Sequence, residues 1–353
     1  MKKIFLFLQK VVLCAMLGST VPVFSQTTIY GSNQYSEYSI IRNYDMKPNV
    51  DITFNVICAD ITFNYVDRSS SVVYSVDVSN YIYHIVDFVV YDGSVFFCGY
   101  GGGNPLYGFF NVQDVFFNGG TITKVSLNSI PFGDDNASFF PTKIDARESL
   151  SGDVHLMMTG SASASLKEGM DTNVYRGPNG SAIMDVVITS PVYHDFFFTV
   201  DTENEYLFDD VILTEKYAVV SARGKTSNHN FRHDFFFYNS PTLSLDSYFY
   251  TQTPLGTGVF QMPVHEANAG SLLVLGGSND IRLAKMEQDV FATVCNNDAT
   301  GQMTLSIYND PNNNVINRKE LPFLTNCREI SYVTREKAFA ILSSSCDYLY
   351  YTK

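Results

Sequence analysis

Apolar residues fall in short runs along this chain, each bounded by Gly, Asn, Asp, Ser or Pro. A three-to-four periodicity is hard to find over any window of helical length, and the best candidate, Lys285–Phe291, is too short to matter. Run length and flanking residues therefore predict strands. Turn signals return about every 8–12 residues, a rhythm that suits a sandwich, a barrel or a propeller.

Repetition decides among these. One unit recurs: an acid, an apolar stretch, a turn, and a second apolar stretch ending in small residues. It is clearest at Asp87–Gly99 and Asp210–Ser221, and weaker at Asp145–Gly160, Asp280–Cys295 and Glu329–Ser344. Each copy reads as two antiparallel strands, the inner half of a propeller blade. Tyr107–Val112, Thr121–Leu127, Gln302–Tyr308 and Val315–Leu321 then supply outer strands. The second stretches centre on Phe97, Met157, Val219, Thr293 and Ala340, a loose spacing for blades of roughly 40–50 residues. His194-Asp195-Phe196-Phe197-Phe198 echoes His233-Asp234-Phe235-Phe236-Phe237, and Asp114-Val115-Phe116-Phe117 resembles both, as if at equivalent blade positions. With residues 29–78 as a further unit, the expectation is an all-β propeller of six blades, within a range of five to seven. Tandem β-sandwiches are the alternative. The last unit, Glu329–Tyr351, offers three strands, so an N-terminal strand is expected to close the ring and cover its edge, with Tyr38–Ile41 or Val72–Val78 as the candidates.

Composition agrees with this reading. The chain has 28 Phe and 23 Tyr but no Trp, and aromatic residues favour pleated strands. At 45% hydrophobic and 17% charged, it is too apolar to be a disordered segment.

The first residues change the picture more. Lys2 and Lys3 precede an apolar stretch through Leu17, then Pro22 and Val23-Phe24-Ser25 ahead of Gln26. This pattern predicts a secretory leader, residues 1–25, followed by a single propeller domain, 26–353. Cys14 lies inside the apolar stretch behind Leu13, which argues against a lipid anchor there. No later run is long enough to span a bilayer as a helix. The leader holds Lys2, Lys3 and Lys10 and no acid, so its removal takes the formal charge from −13 to −16. So acidic a surface repels nucleic acid. Periplasm, cell surface or medium is the expected location.

Five of the six cysteines follow the leader, and none form a Cys-x-x-Cys pair. Cys98 sits in an apolar run and reads as a buried small hydrophobe. Cys327 and Cys346 flank two strand-like runs, Ile330–Thr334 and Ala338–Leu342, and a tight hairpin there would make them the most plausible disulfide.

Phe96-Phe97-Cys98-Gly99, the Gly-rich turn after it, Tyr107-Gly108-Phe109-Phe110 and Asp114-Val115-Phe116-Phe117 resemble uncharacterised exported β-propeller-like proteins of anaerobic Gram-negative bacteria. The resemblance covers residues 87–127 well and the rest only by pattern, and it implies a fold and a compartment. It implies no activity.

Catalytic motifs are weak. Gly99–Pro105 looks like a phosphate loop, but a strand-like run follows it where a helix would be needed. His229 and His233 lack the intervening Glu of a zinc hydrolase, and on a strand they would stand about 13 Å apart, so they read as loop histidines. Asn296–Asp298 and Asn309–Asn314 lack the spacing of a calcium-binding hand. No Gly-x-Ser-x-Gly elbow is present. Acids such as Asp134, Asp135, Asp145, Glu148, Glu203, Glu205, Asp209, Asp210 and Glu266 would suit a glycosidase, but the sequence alone gives no separations. No catalytic, cofactor or metal residue is therefore assigned. The expected function is binding or scaffolding at the envelope, as a monomer, with a neutral or cationic glycan or peptide held by propeller loops at Tyr100, Tyr107 and Tyr175. A carbohydrate-active enzyme on the same fold is the alternative.

Overall fold

The computed structural model describes residues 26–27, 38–57, 60–79, 82, 84–132, 135–148, 152–164, 180–189, 193–200, 206–215, 217–225, 231–239, 250–252, 258–260, 265–268, 282–286, 290–297, 302–308, 315–321, 327–334, 337–343 and 347–351. The chain opens with β1 (Gln26–Thr27). Blade one follows as β2 (Tyr38–Asn43), β3 (Val50–Ile57), β4 (Asp60–Asp67) and β5 (Val72–Asp77). Blade two is β6 (His84–Tyr91), β7 (Ser94–Gly101), β8 (Asn104–Asn111) and β9 (Thr123–Ser126), with the short helix α1 (Val112–Phe117) before β9.

Blade three holds β10 (Ile130–Phe132), β11 (Asp135–Glu148), β12 (Val154–Ala164), β13 (Gly180–Thr189) and β14 (Tyr193–Val200). Blade four is β15 (Tyr206–Leu213), β16 (Tyr217–Lys225) and β17 (Phe231–Asn239), then the separate pair β18 (Tyr250–Gln252) and β19 (Gly258–Phe260), then β20 (His265–Asn268) as its outer strand. Blade five is β21 (Arg282–Lys285), β22 (Phe291–Asn297), β23 (Gln302–Tyr308) and β24 (Val315–Leu321). Blade six is β25 (Cys327–Val333), β26 (Ala338–Ser343) and β27 (Asp347–Tyr351).

The inner strands make the ring. β2 touches β6, β6 touches β11, and the contacts continue through β15, β21 and β25 back to β2. Six sheets joined in a closed cycle are a propeller, and the cycle rules out tandem sandwiches. β1 pairs with β27, Gln26 opposite Tyr350 and Thr27 opposite Leu349, so an N-terminal strand does close the last blade. That strand is neither of the candidates named above: Tyr38–Ile41 lies in β2 and Val72–Val78 covers β5, and both serve their own blade.

Successive blades pack face to face, because each strand turns alternate side chains to either side. Phe54 and Phe63 of blade one meet Phe88, Phe97 and Phe110 of blade two. Phe96, Cys98 and Tyr107 meet Phe139, Leu156 and Met184 of blade three. Met157 and Ile183 meet Val211, Leu213 and Val220, and Ala284 and Val294 meet Ile330 and Phe339. Phe63 lies 5.3 Å from Phe88 and 5.2 Å from Phe110, both edge-to-face, the arrangement that the ring quadrupole favours.

Several local readings need correction. Asp114–Phe117 is helical, since the Asn111 side chain accepts from the Asp114 N–H and caps the turn. The His194 and His233 echo does not mark equivalent positions: β14 is the outermost strand of its blade, whereas β17 is the third of its own. His233 lies in strand β17 rather than a loop, and His229 falls outside the described residues. Lys285 ends β21 and Phe291 begins β22, so the one helix-like run spans a hairpin.

Candidate functional site

Four of the acids that head the repeat unit, Asp87, Asp145, Asp210 and Glu329, gather at the centre of the ring, and Asp280 lies outside the described residues. On four inner strands the pairing register slips by one residue, between Ile85 and Asp87, Pro141 and Lys143, Phe208 and Asp210, and Cys327 and Glu329. A bulge re-aims the side chain beside it. The residue on the second strand opposite the start of each slip is small: Gly99, Gly160, Ala222 and Ser343. Space explains the two glycines. A Cβ on Gly99 would stand 2.1 Å from the His84 carbonyl oxygen, and one on Gly160 would stand 2.2 Å from that of Phe140.

The four re-aimed residues, Asp87, Lys143, Asp210 and Glu329, are all buried. The Lys143 ammonium binds the Glu329 carboxylate directly, joining blade three to blade six across the axis. Asp87 and Asp210 act on the same lysine electrostatically. Arg42 of blade one reaches both Asp87 and Glu329 at 2.8 Å, and its Nε donates to the Phe88 carbonyl at 2.9 Å. Lys285 of blade five pairs with Asp145 at 3.1 Å.

The aspartates also hold the blades together. Asp87, Asp145 and Asp210 each accept the N–H of the following residue, Phe88, Ala146 and Val211, at 2.8–2.9 Å. Each uses its second oxygen to accept an N–H from the next blade: Ile144 at 3.1 Å, Leu213 at 2.6 Å and Leu283 at 2.8 Å. Hydrogen bonds to ionised acceptors are roughly twice as strong as neutral ones, which suits a clasp.

Burial pushes the Asp210 carboxyl up to about 6, against the pull of Lys143 and Arg282, and it holds the Lys143 ammonium below its usual range despite Asp87 and Asp210. The sign for stability follows. The folded Asp210 pKa lies above the unfolded value, so the folded state binds its proton more tightly. Ionisation therefore costs stability as the pH rises from about 4 through about 6. The advantage of wild type over Asp210→Asn is expected to be largest near pH 4 and to shrink by up to ~3 kcal/mol by pH 7, measured by urea unfolding at each pH. A difference that does not vary with pH would contradict this.

The residues expected at the site scatter. Tyr107 is in the core between blades two and three, so its ring is closed to a ligand and that expectation is corrected. Tyr100 is half-buried on β7, with its hydroxyl donating to the Pro141 carbonyl at 3.4 Å and its ring stacked on His84 at 6.5 Å. Tyr175 lies outside the described residues, as do Cys346, Asp134, Glu203, Glu205 and Asn309–Asn314. The Cys327 thiol lies 3.4 Å from the Glu329 carbonyl oxygen. Cys98 is fully buried, and burial raises its thiol well above the usual range, which keeps it protonated and inert. Among the carbohydrate-enzyme candidates, Asp145, Asp209 and Asp210 are buried at the centre of the ring while Glu148 is exposed. Gly102 and Gly103 form an exposed hairpin between two strands, not a strand–helix phosphate loop.

Arg42, Lys143, Arg282 and Lys285 were not singled out in the sequence. Lys143 stands two residues before Asp145, so the repeat unit itself pointed to its neighbourhood.

Ring closure, face-to-face sheets and an axial ionic cluster define a six-bladed β-propeller. No protein-family model matches the chain, and no curated protein matches its sequence. Among solved structures it is similar to a luciferin-regenerating enzyme, at 10% identity over 94% of this chain and 96% of that one, with a TM-score of 0.49. It is also similar to hydrazine synthase of Kuenenia stuttgartiensis (11%; 88% and 94%; 0.45) and to the β-propeller domain of the Trilobed protease from Pyrococcus furiosus (8%; 90% and 97%; 0.44). At such identities no residue role passes to this chain, and the fold rests on its own strand order.

Proposed function

We propose that this is an exported propeller that binds a neutral or cationic glycan or peptide through its loops and performs no chemistry. One observation carries the reading: the axial carboxylates that an enzyme would need are already engaged. Asp87 and Asp145 each hold two backbone N–H groups and a cation, Asp210 holds two N–H groups, and Glu329 holds Arg42 and Lys143. A general acid must reach its substrate, and these groups face one another instead. The export half of the proposal rests on residues 1–25 and on their resemblance-bearing neighbour, residues 87–127. Removing the leader would leave the closing strand whole, since β1 starts at Gln26.

The raised pKa of Asp210 favours the carbohydrate-active alternative, because an acid that titrates near 6 suits proton transfer. A broad hydrolase screen alongside glycan and peptide arrays, on the chain from Gln26 onward, separates the two. Binding without turnover is the expected result. Turnover lost in Asp210→Asn, with the fold retained, would establish the enzyme instead.

A further inference from the structure

Apart from Met46 in the first turn of blade one, the large apolar side chains most open to solvent among the described residues belong to one strand and the helix beside it. Val72, Val73 and Tyr74, which are 38%, 54% and 44% exposed, follow one another on β5, and Phe117, at 41%, comes from the end of α1. The Tyr74 and Phe117 rings meet edge-on at 4.8 Å, and Tyr65 lies behind both at 6.0 and 5.1 Å. An exposed cluster of this kind marks an interaction surface.

The strand beneath it is an edge among the described strands. β5 is the outer strand of blade one and pairs with β4 on one side alone among the described strands. Proteins usually blunt such an edge with lysine, proline or a bulge. The outer strand of blade two does so, with Thr123, Lys124 and Ser126 exposed on β9. β5 carries none of these devices. It has a carboxylate near each end instead: Asp67, opposite Val72, and Asp77, opposite Thr62. Both stay ionised. Hydrogen bonds from Ser69 and Ser70 hold Asp67 down at about 2, and those from Ser79 lower Asp77.

We propose that β5 and the Tyr74–Phe117 ridge form a docking edge for an extended peptide strand with alternating apolar residues and a lysine or arginine towards each end. Main-chain hydrogen bonds to the β5 edge would supply affinity, the ridge would select side chains, and the two carboxylates would select the charges. Charge also argues against a second copy of this chain as the occupant. Antiparallel self-pairing of β5 about Tyr74 and Ser75 would set the Asp77 of each copy opposite Val72 of the other, with Asp67 one strand further in, so each end would gather two carboxylates. The formal charge of −13 adds to that repulsion.

The test is a displayed library of random octapeptides, panned on the full wild-type chain and counter-selected on Val73→Lys. Val73 is exposed, so the variant keeps its fold, and an unchanged melting temperature verifies this. Enriched peptides are expected to alternate apolar residues between basic ends, to bind Val73→Lys at least tenfold more weakly, and to weaken as salt is raised. Phe117→Ser is expected to change which side chains are enriched. No enrichment, enrichment of acidic or unpatterned peptides, or equal binding to Val73→Lys would overturn the proposal. A wild-type dimer in light scattering that Val73→Lys dissolves would also overturn it and assign the edge to self-association.

Discussion

Lys143→Met is expected to cost the fold about 3–5 kcal/mol, the range for removing one partner of a buried ion pair. Lys143 is only 4% exposed and bonds Glu329 from the opposite side of the ring. Methionine fills a similar volume, so the loss is electrostatic. Glu329 and Asp87 would keep Arg42, but Asp210 would lose the stronger of the cations that offset its charge and keep only Arg282. Glu329→Gln should cost a comparable amount, since its one amide oxygen can accept from Lys143 or Arg42 while its NH2 turns towards the other cation. Urea midpoints at constant slope measure both. A loss below ~1 kcal/mol for Lys143→Met would mean that the axis is held by the aspartate clasps alone.

The second large effect is expected at His155 and Asp185, both fully buried on β12 and β13 with His155 Nδ1 3.0 Å from a carboxylate oxygen. Burial raises the Asp185 carboxyl, and the histidine opposes that shift. His155→Leu removes the opposing partner and should destabilise by about 3–5 kcal/mol, because the carboxylate is left in an apolar setting. The double variant His155→Leu/Asp185→Leu should recover most of the loss, since a well-packed apolar pair can equal a buried polar one. Additive losses in the double variant would show that each side chain has an independent role.

Much of this architecture was legible in the chain. Strands need only local signals, and Gln302–Tyr308 and Val315–Leu321 coincide with β23 and β24 residue for residue. The repeat unit was legible too, and its two ends have one cause. The acid follows a bulge, and the small residue faces the start of that bulge, so Asp87 with Gly99 and Asp210 with Ser221-Ala222 mark the inner hairpin of a blade. Blade three departs from the rule, with Lys143 after its bulge and Asp145 two residues on, and blade five does so because β21 pairs with β22 without a slip.

Tyr107 shows the limit of local reading. A tyrosine beside a Gly-rich turn looks like a loop residue, yet it stands mid-strand between two blades, and only the neighbouring blade buries it. The closing strand was misplaced for a related reason. Any short extended segment suits an edge, and which one arrives there depends on where the ring brings the chain back.

By itself, then, the sequence determined the strands, their pairing into hairpins and the acids that head each unit, because alternation, turn residues and bulges act over a few positions. The tertiary structure alone decided which charges meet. Lys143 and Glu329 are 186 residues apart and Arg42 and Glu329 are 287 apart, so no local pattern links them. Closing the ring brings them to one axis, where low solvent exposure makes their attraction strong and an unmatched charge costly.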